Sequence, residues 1–262
     1  MNWIVTNKDT LNIQTVVHLG DHVQDESTST EWDEADGFIG ILDTDGTIPY
    51  LLGLGNHEYP GGAVGAGERD ATEWNTYFPQ SRYTGQSWWS GGFYEASHSE
   101  NAYLLLTIES IDYIFITLEN NPRQDVIDWA NTTLTTYSTR RAVVSTHDYL
   151  AADGTHKTTD SMDEVDAHTG AQIWDELIKL HDNIILVQCG HVHGWNMRSD
   201  LSSSEGATIW QVLSNYQDLR NGGDGYLRIM VVRSGGTIEM YTYSTSYELF
   251  FNSSGNQFGY TL

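Results

Sequence analysis

An α/β fold is the reading of this sequence, and three observations carry it. Four short apolar runs, Thr15-Val16-Val17, Tyr50-Leu51-Leu52, Ala142-Val143-Val144 and Ile184-Ile185-Leu186-Val187, have the unbroken hydrophobicity of strands covered on both faces. Segments with helical spacing stand between them. Each run is followed within a few residues by a polar motif: Gly20-Asp21, Gly55-Asn56-His57-Glu58, His147, and Gly190-His191-Val192-His193. In open α/β sheets, ligands gather beyond the carboxyl ends of the strands.

The elements follow in order. Residues 2–12 have helical spacing, with Trp3, Ile4 and Leu11 apolar, and are expected to cover the sheet. Residues 13–20 form the first strand. The acidic stretch Asp25 to Asp36 leads into a helix over 31–43, and a second strand spans 48–54. Residues 59–100 show little periodicity and many Gly, Trp and Tyr; a loop that long is usually functional or insertional. There, Trp88, Trp89 and Phe93 read either as pocket walls or as a satellite apolar cluster under the loop. Residues 102–108 and 111–118 alternate like paired strands. The segment 122–137 follows Pro122 and reads as an amphipathic helix, with Val126, Ile127, Trp129, Ala130 and Leu134 inward. Strand 142–146 precedes His147, a polar loop spans 151–169, and helix 170–181 precedes strand 184–189. The tail, 207–249, reads as short strands.

At 262 residues the chain suits one large domain, 1–262, with a substantial core. A composition 39% apolar and 12% aromatic argues for folding rather than disorder. Thirty-six acidic residues against twelve basic ones, a net charge of −24, exclude a general nucleic-acid or anionic-membrane binder. The same charge concentrates cations around a metal site. With Lys confined to Lys8, Lys157 and Lys179, it fits solubility in high salt, a halophilic trait, or simple surface acidity. Cys189 has no partner for an internal disulfide and reads as a small core residue. No apolar stretch is long enough to span a bilayer. Met1 to Val5 lacks the features of a signal peptide, so an extracellular location would require a signal upstream of this chain.

The motif residues are oxygen and imidazole donors: Asp21, Asn56, His147, His191 and His193. Borderline divalent metals prefer that set. His191 and His193 alternate, which places both rings on one side of an extended segment. Competing readings exist. Asp21 could cap the segment after it, and His57 could be a surface residue. His18 falls inside a strand, as a core or inter-sheet residue. His181 suits a helix C-terminus, His156 a surface loop or a substrate-facing position. Asp148 reads as support for a ligand or as solvent-exposed, and Tyr216 and Gln217 as pocket lining or, for Tyr216, packing.

In their order, GD, GNHE, H and GHVH, these residues resemble the calcineurin-like metallophosphoesterase family. Trp129-Ala130-Asn131 before Arg141 to His147, and Asn215-Tyr216-Gln217 before Gly222 to Arg228, are similar to its extracellular bacterial and archaeal branch. The resemblance runs from Trp3 to Phe258. It implies a four-layer α/β/β/α sandwich with a two-metal centre. Asp21 would bridge the metals, Asn56, His147 and His191 would complete one site, and His193 would belong to the other. His57 would stand near the leaving-group oxygen, making Asp21 and His57 the catalytic pair. The implied cofactors are divalent ions (Mn, Zn, Fe, Ni or Co), and the implied activity is hydrolysis of phosphodiesters or small phosphomonoesters by metal-activated hydroxide.

Two departures from the family pattern shape the expectations. The family begins with a strand ending in an Asp-x-His or Asp-x-Gln pair, and nothing ahead of Asp21 fits it. One metal site is therefore expected to be complete and the second incomplete, with His22, backed by Asp25, the candidate substitute. The acidic residue that often follows the metal Asp by three positions is Gln24 here, with Asp25 one later. The alternative function is a non-catalytic metal-binding or interaction module on a degraded phosphoesterase scaffold. Exposed strand edges in such a scaffold would favour a homodimer.

Overall fold

The computed structural model describes residues 1–62, 68–162, 164–233 and 237–261. From the N-terminus run α1 (Asn2–Leu11), β1 (Val16–His18), α2 (Ser29–Asp45), β2 (Tyr50–Leu52), α3 (Thr72–Tyr77) and α4 (Gln80–Thr84). Next come β3 (Gly91–Phe93), β4 (Ala102–Ile108), β5 (Ile111–Thr117), α5 (Gln124–Thr136), β6 (Arg141–Ser145) and α6 (Gly170–Glu176). The remainder is β7 (Ile184–Cys189), β8 (Gly194–Leu201), β9 (Thr208–Asn215), β10 (Tyr226–Val232), β11 (Thr237–Ser244), β12 (Leu249–Phe250) and β13 (Gln257–Thr261).

Local chemistry sets the helices. In α2, Trp32, Ala35, Ile39 and Leu42 recur at helical spacing and are buried. Gly46 ends that helix in the left-handed region (φ 65°), its N–H closing on the Leu42 carbonyl at 2.9 Å. A capping box formed by Thr169 and Gln172 starts α6. Helix α5 buries Val126, Ile127, Ala130, Thr133 and Leu134.

The strands form a seven-stranded mixed sheet in the order β3-β4-β5-β6-β7-β9-β8, of which β5, β6, β7 and β9 run parallel. A parallel pair, β1-β2, is registered Val16 to Tyr50. In the third sheet β11 carries β10, β12 and β13, all antiparallel to it. Three apolar clusters stack these parts. On one face of the large sheet, Ile116, Val144 and Val187 meet Ile127, Ala130 and Ile173 of α5 and α6. On its other face, Leu104, Val143 and Leu186 meet Leu51 of β2 and Ile238 and Met240 of β11. Outside β2, Tyr50 and Leu52 pack on Trp32, Ile39, Trp74 and Phe78. This is the α/β/β/α layering that the family resemblance implies.

Three local outcomes differ from the sequence reading. The stretch 59–100 contains α3, α4 and β3, each six residues or fewer, too short for a countable period. Trp88, Trp89 and Phe93 pack against the two clusters around β2 and join the core there. Helix 170–181 breaks at Leu177, after which Ile178–Leu180 form a 3-10 turn. Strand β8 escapes the pattern because its Asn-Met-Arg-Ser-Asp sequence has no apolar alternation; pairing along β9 makes it a strand.

Candidate metal centre

Two parallel pairs, β1-β2 and β6-β7, deliver the candidate residues from their carboxyl ends. Asp21 follows β1 by three residues, Asn56 follows β2 by four, and His147 and His191 each stand two residues beyond β6 and β7. Asp21, His147 and His191 offer ligand atoms that all lie within 4.8 Å of one another. The Oδ1 atom of Asn56 sits among them, 3.1 Å from His147 Nε2 and 2.8 Å from His191 Nδ1. That amide has one orientation, because its Nδ2 donates to the Gly62 carbonyl at 2.9 Å.

Two of these residues hold strained backbones. Asp21 (φ 56°) and His191 (φ 57°) are both left-handed. That conformation costs an ordinary residue about 1–2 kcal/mol. Such outliers persist only where the surroundings over-determine them, and they concentrate at functional sites.

Electrostatics within the cluster are asymmetric. His147 Nδ1 donates to the Leu19 carbonyl at 2.6 Å, so Nε2 is the nitrogen turned toward Asp21 Oδ1, 3.1 Å away. Burial alone would lower the His147 pKa; the Asp21 charge and hydrogen bond outweigh it and raise the value to about 9. Burial likewise works to raise the Asp21 pKa, but the facing His147 charge and hydrogen bond hold it well below the usual carboxylate range. His191 is pushed down to about 4, chiefly by burial. A neutral imidazole, a carboxylate and an amide oxygen thus converge beside His147 Nε2, which must be free of its proton to bind a cation. The donor set fits a borderline divalent cation.

Glu58 is the residue whose role the sequence reading missed. It is fully buried, and its carboxylate accepts four backbone N–H groups. Oε2 takes those of Asp21 (3.0 Å) and Gly55 (2.6 Å); Oε1 takes those of His22 and of Val23 (3.2 Å). One side chain therefore clamps the loop after β1 to the loop after β2. Its signal was present as the last residue of Gly-Asn-His-Glu, next to two residues that drew attention for their own side chains.

His57 is half-buried at the rim. Its N–H donates to Asp21 Oδ1 at 3.3 Å, and its Nδ1 donates to the Gln24 carbonyl at 2.7 Å. The main chain at Gln24 does the orienting that an acidic side chain would do, and Nε2 is left as the working nitrogen. Asp25 instead binds Ser27, at 2.7 Å to its hydroxyl.

The other candidates fall outside the cluster, with Asp148 beside it. His193 is half-exposed, with Nδ1 2.8 Å from Asp218 Oδ2 and Nε2 hydrogen-bonded to the Gln217 amide. The left-handed turn at His191 breaks the extended geometry that would set both rings on one side. His22 is buried in an aromatic nest of His18, Phe38, Trp74 and Phe78. His18 is half-buried in β1, and its pKa is pushed down chiefly by desolvation of the ring. Asp148 is fully buried, bound to Lys157 Nζ at 2.7 Å and 3.8 Å from His191 Nε2. His156 stacks on Trp174 and bonds Gln211, Tyr216 bonds Thr242, and His181 bonds Asn131.

The loops approach so closely that only glycine fits at their crossing. A Cβ on Gly55 would collide with the Asp21 carboxylate and come within 2.6 Å of the Asp21 nitrogen. Gly55→Ala is expected to displace Asp21 and weaken divalent-metal binding about 10- to 100-fold, the scale seen when a ligand's support is lost. Calorimetric titration with Mn or Zn checks it; unchanged affinity would mean that the loops part without moving Asp21.

Comparison with known proteins adds two findings. The family model for calcineurin-like phosphoesterases matches residues 1–195, which include all of the cluster. An uncharacterized protein of Bacillus subtilis (strain 168), YvnB, is 28% identical over 248 residues. The match takes in 92% of this chain but 18% of that relative, so the chain spans about a fifth of the relative's length.

Proposed function

The chain belongs to the calcineurin-like phosphoesterase family, whose members in general hydrolyse phosphoesters with divalent metals, and we propose that it acts on phosphodiesters or small phosphomonoesters. The observation that carries this reading is the convergence of Asp21, His147 and His191 at the ends of parallel strands, with Asn56 Oδ1 among them. A net charge of −24 disfavours long polyanions and leaves small phosphoesters as the substrate class.

Asp21, Asn56, His147 and His191 would hold the cation. A divalent metal bound there supplies a hydroxide nucleophile at neutral pH and neutralises charge on phosphoryl oxygens. The chain's own residues do the rest. Leu19's carbonyl fixes the His147 tautomer, Glu58 holds Asp21 against Gly55, and Gln24's carbonyl aims His57 Nε2 outward. His57, as an imidazolium, donates its Nε2 proton to the departing alkoxide.

The test is hydrolysis of a chromogenic phosphodiester and a chromogenic monoester by metal-stripped protein, with Mn, Zn, Fe, Ni or Co restored one at a time. Turnover that returns with added metal is expected. Bound metal without turnover on either ester would favour the non-catalytic metal-binding module instead. His57→Asn is expected to lower kcat about 10²- to 10⁴-fold on esters with poor, alkyl leaving groups and far less on nitrophenyl esters. An equal loss on both classes would remove His57 from the proton-donor role.

A further inference from the structure

Asp148 follows His147 directly in the chain and is fully buried. Its Oδ2 accepts from Lys157 Nζ at 2.7 Å and stands 3.8 Å from His191 Nε2. Its Oδ1 is buried as well and has no hydrogen-bond partner among the described residues. A carboxylate has about four acceptor positions, and buried ones are normally used. Here one is filled, and the nearest ring nitrogen of the cluster faces the remainder.

The mounting of this carboxylate is firm. The Lys157 N–H donates to the Tyr149 carbonyl at 3.0 Å, and the Lys157 carbonyl accepts the N–H of Ala171, in the first turn of α6, at 2.8 Å. Leu150 and His156 pair across the bend between them. Gly170 lets the segment close, since a Cβ there would come within 1.9 Å of the Tyr149 oxygen. One of the chain's three lysines is thus fixed as the counter-charge of Asp148.

His191 has a partner on each side of its ring. Nδ1 lies 2.8 Å from Asn56 Oδ1, an oxygen held in place by the bond from Asn56 Nδ2 to Gly62. An amide oxygen only accepts, so that contact is a hydrogen bond when Nδ1 carries the ring proton. Nε2 then turns a lone pair toward Asp148. Two acceptors keep apart, and 3.8 Å is outside the hydrogen-bond range of about 2.7–3.2 Å. A cation held by Asp21, Asn56, His147 and His191 needs the Nδ1 lone pair instead. The single ring proton then belongs on Nε2: Nδ1 gives one to solvent, Nε2 takes one from it, and the charge of the ring is unchanged.

We propose that Asp148 is a positioning residue for His191, accepting the ring proton at Nε2 when a divalent cation takes the lone pair of Nδ1, with Lys157 holding the carboxylate in place for that exchange. The proton on His191 thereby changes sides as the cation binds, from Asn56 to Asp148. Carboxylates beyond a ligating imidazole fix its orientation and raise its basicity as a ligand. This inference rests on the metal-binding part of the function proposed above and not on the reaction. The competing role for Asp148 is an ion pair that ties the Lys157 segment to the end of β6.

The probe is zinc alone, titrated into protein that carries 15N in its histidines and has been stripped of metal by chelator, with His191→Gln identifying the His191 signals. Zinc is expected to move the proton-bearing signal of that ring from Nδ1 to Nε2. The new Nε2–H is expected to exchange with water at least about tenfold more slowly than an exposed imidazole N–H. In Asp148→Asn the amide oxygen goes to Lys157 and its NH2 faces Nε2, so zinc affinity is expected to fall about 10- to 100-fold and the slow exchange to disappear. Lys157→Met keeps the carboxylate and is expected to keep the proton on Nε2 in the zinc-bound protein. A proton already on Nε2 before zinc, no zinc-driven change at His191, or unchanged affinity in Asp148→Asn overturns the proposal. So does a loss of affinity in Lys157→Met as large as that in Asp148→Asn, which is the mark of an ion pair. If Asp148→Asn does not fold, the zinc-driven switch in the parent protein decides. The switch without turnover on either ester would overturn the hydrolytic reading and uphold this one; turnover without the switch would do the reverse.

Discussion

His147→Ala and His191→Ala are each expected to lower the proposed metal-dependent hydrolysis by more than about 100-fold, because removing a ligand costs more than the 10- to 100-fold typical of losing a ligand's support. The two variants are expected to part company in the metal-free protein. His147 is paired with a largely buried carboxylate, 3.1 Å away. Deleting it strands Asp21 without its partner, and removing one member of a buried pair costs about 3–5 kcal/mol. His191 is neutral in this setting, pushed down to about 4, and its removal leaves no orphaned charge. Denaturant unfolding in chelator should therefore show His147→Ala clearly destabilised and His191→Ala close to the parent. Calorimetric metal titration should show both impaired. Turnover unchanged by alanine at both positions would end the catalytic assignment of this cluster.

Glu58→Ala carries the second large effect, and it acts on the fold as well as on the site. Hydrogen bonds to a charged group contribute about 1.5–3 kcal/mol each. Glu58 accepts four, all from main-chain donors of the two loops it joins. Losing them places the variant in the rare class that costs more than about 4 kcal/mol, and denaturant unfolding is expected to find it largely unfolded. Glu58→Gln keeps the shape and is the informative partner. Its amide retains one oxygen acceptor but turns an NH2 toward two N–H donors, which loosens the clamp between the loops without removing it. Metal affinity is expected to fall about 10- to 100-fold with the fold retained. A Gln variant that binds Mn or Zn as tightly as the parent would show that Asp21 holds its left-handed backbone without this clamp.

The layers and the parts of the site differ in how far they could be read from residues alone. The unbroken apolar runs before Asp21, Asn56, His147 and His191 are local signals. Burial on both faces writes itself into three or four consecutive side chains, and the donors follow within a few positions. Helix α5 was equally plain, because thirteen residues give several turns of periodicity. Elements of three to six residues, such as β3, α3 and α4, give none, and β8 owes its conformation to β9.

By itself, then, the sequence determined the α/β class, the strand ends and the chemical identity of the donors, because each depends on residues adjacent in the chain. Only the tertiary structure decided how those donors are held. The carbonyl that orients His147 belongs to Leu19, 128 positions away, and the carboxylate that fixes Asp21 comes from 37 positions away. The His191–His193 pair shows the same division: alternation predicts two rings on one side, but a φ of 57° at His191 sends His193 to Asp218. Backbone carbonyls and dihedral angles carry no letter in a sequence. They are set by which loops the packed sheets bring together.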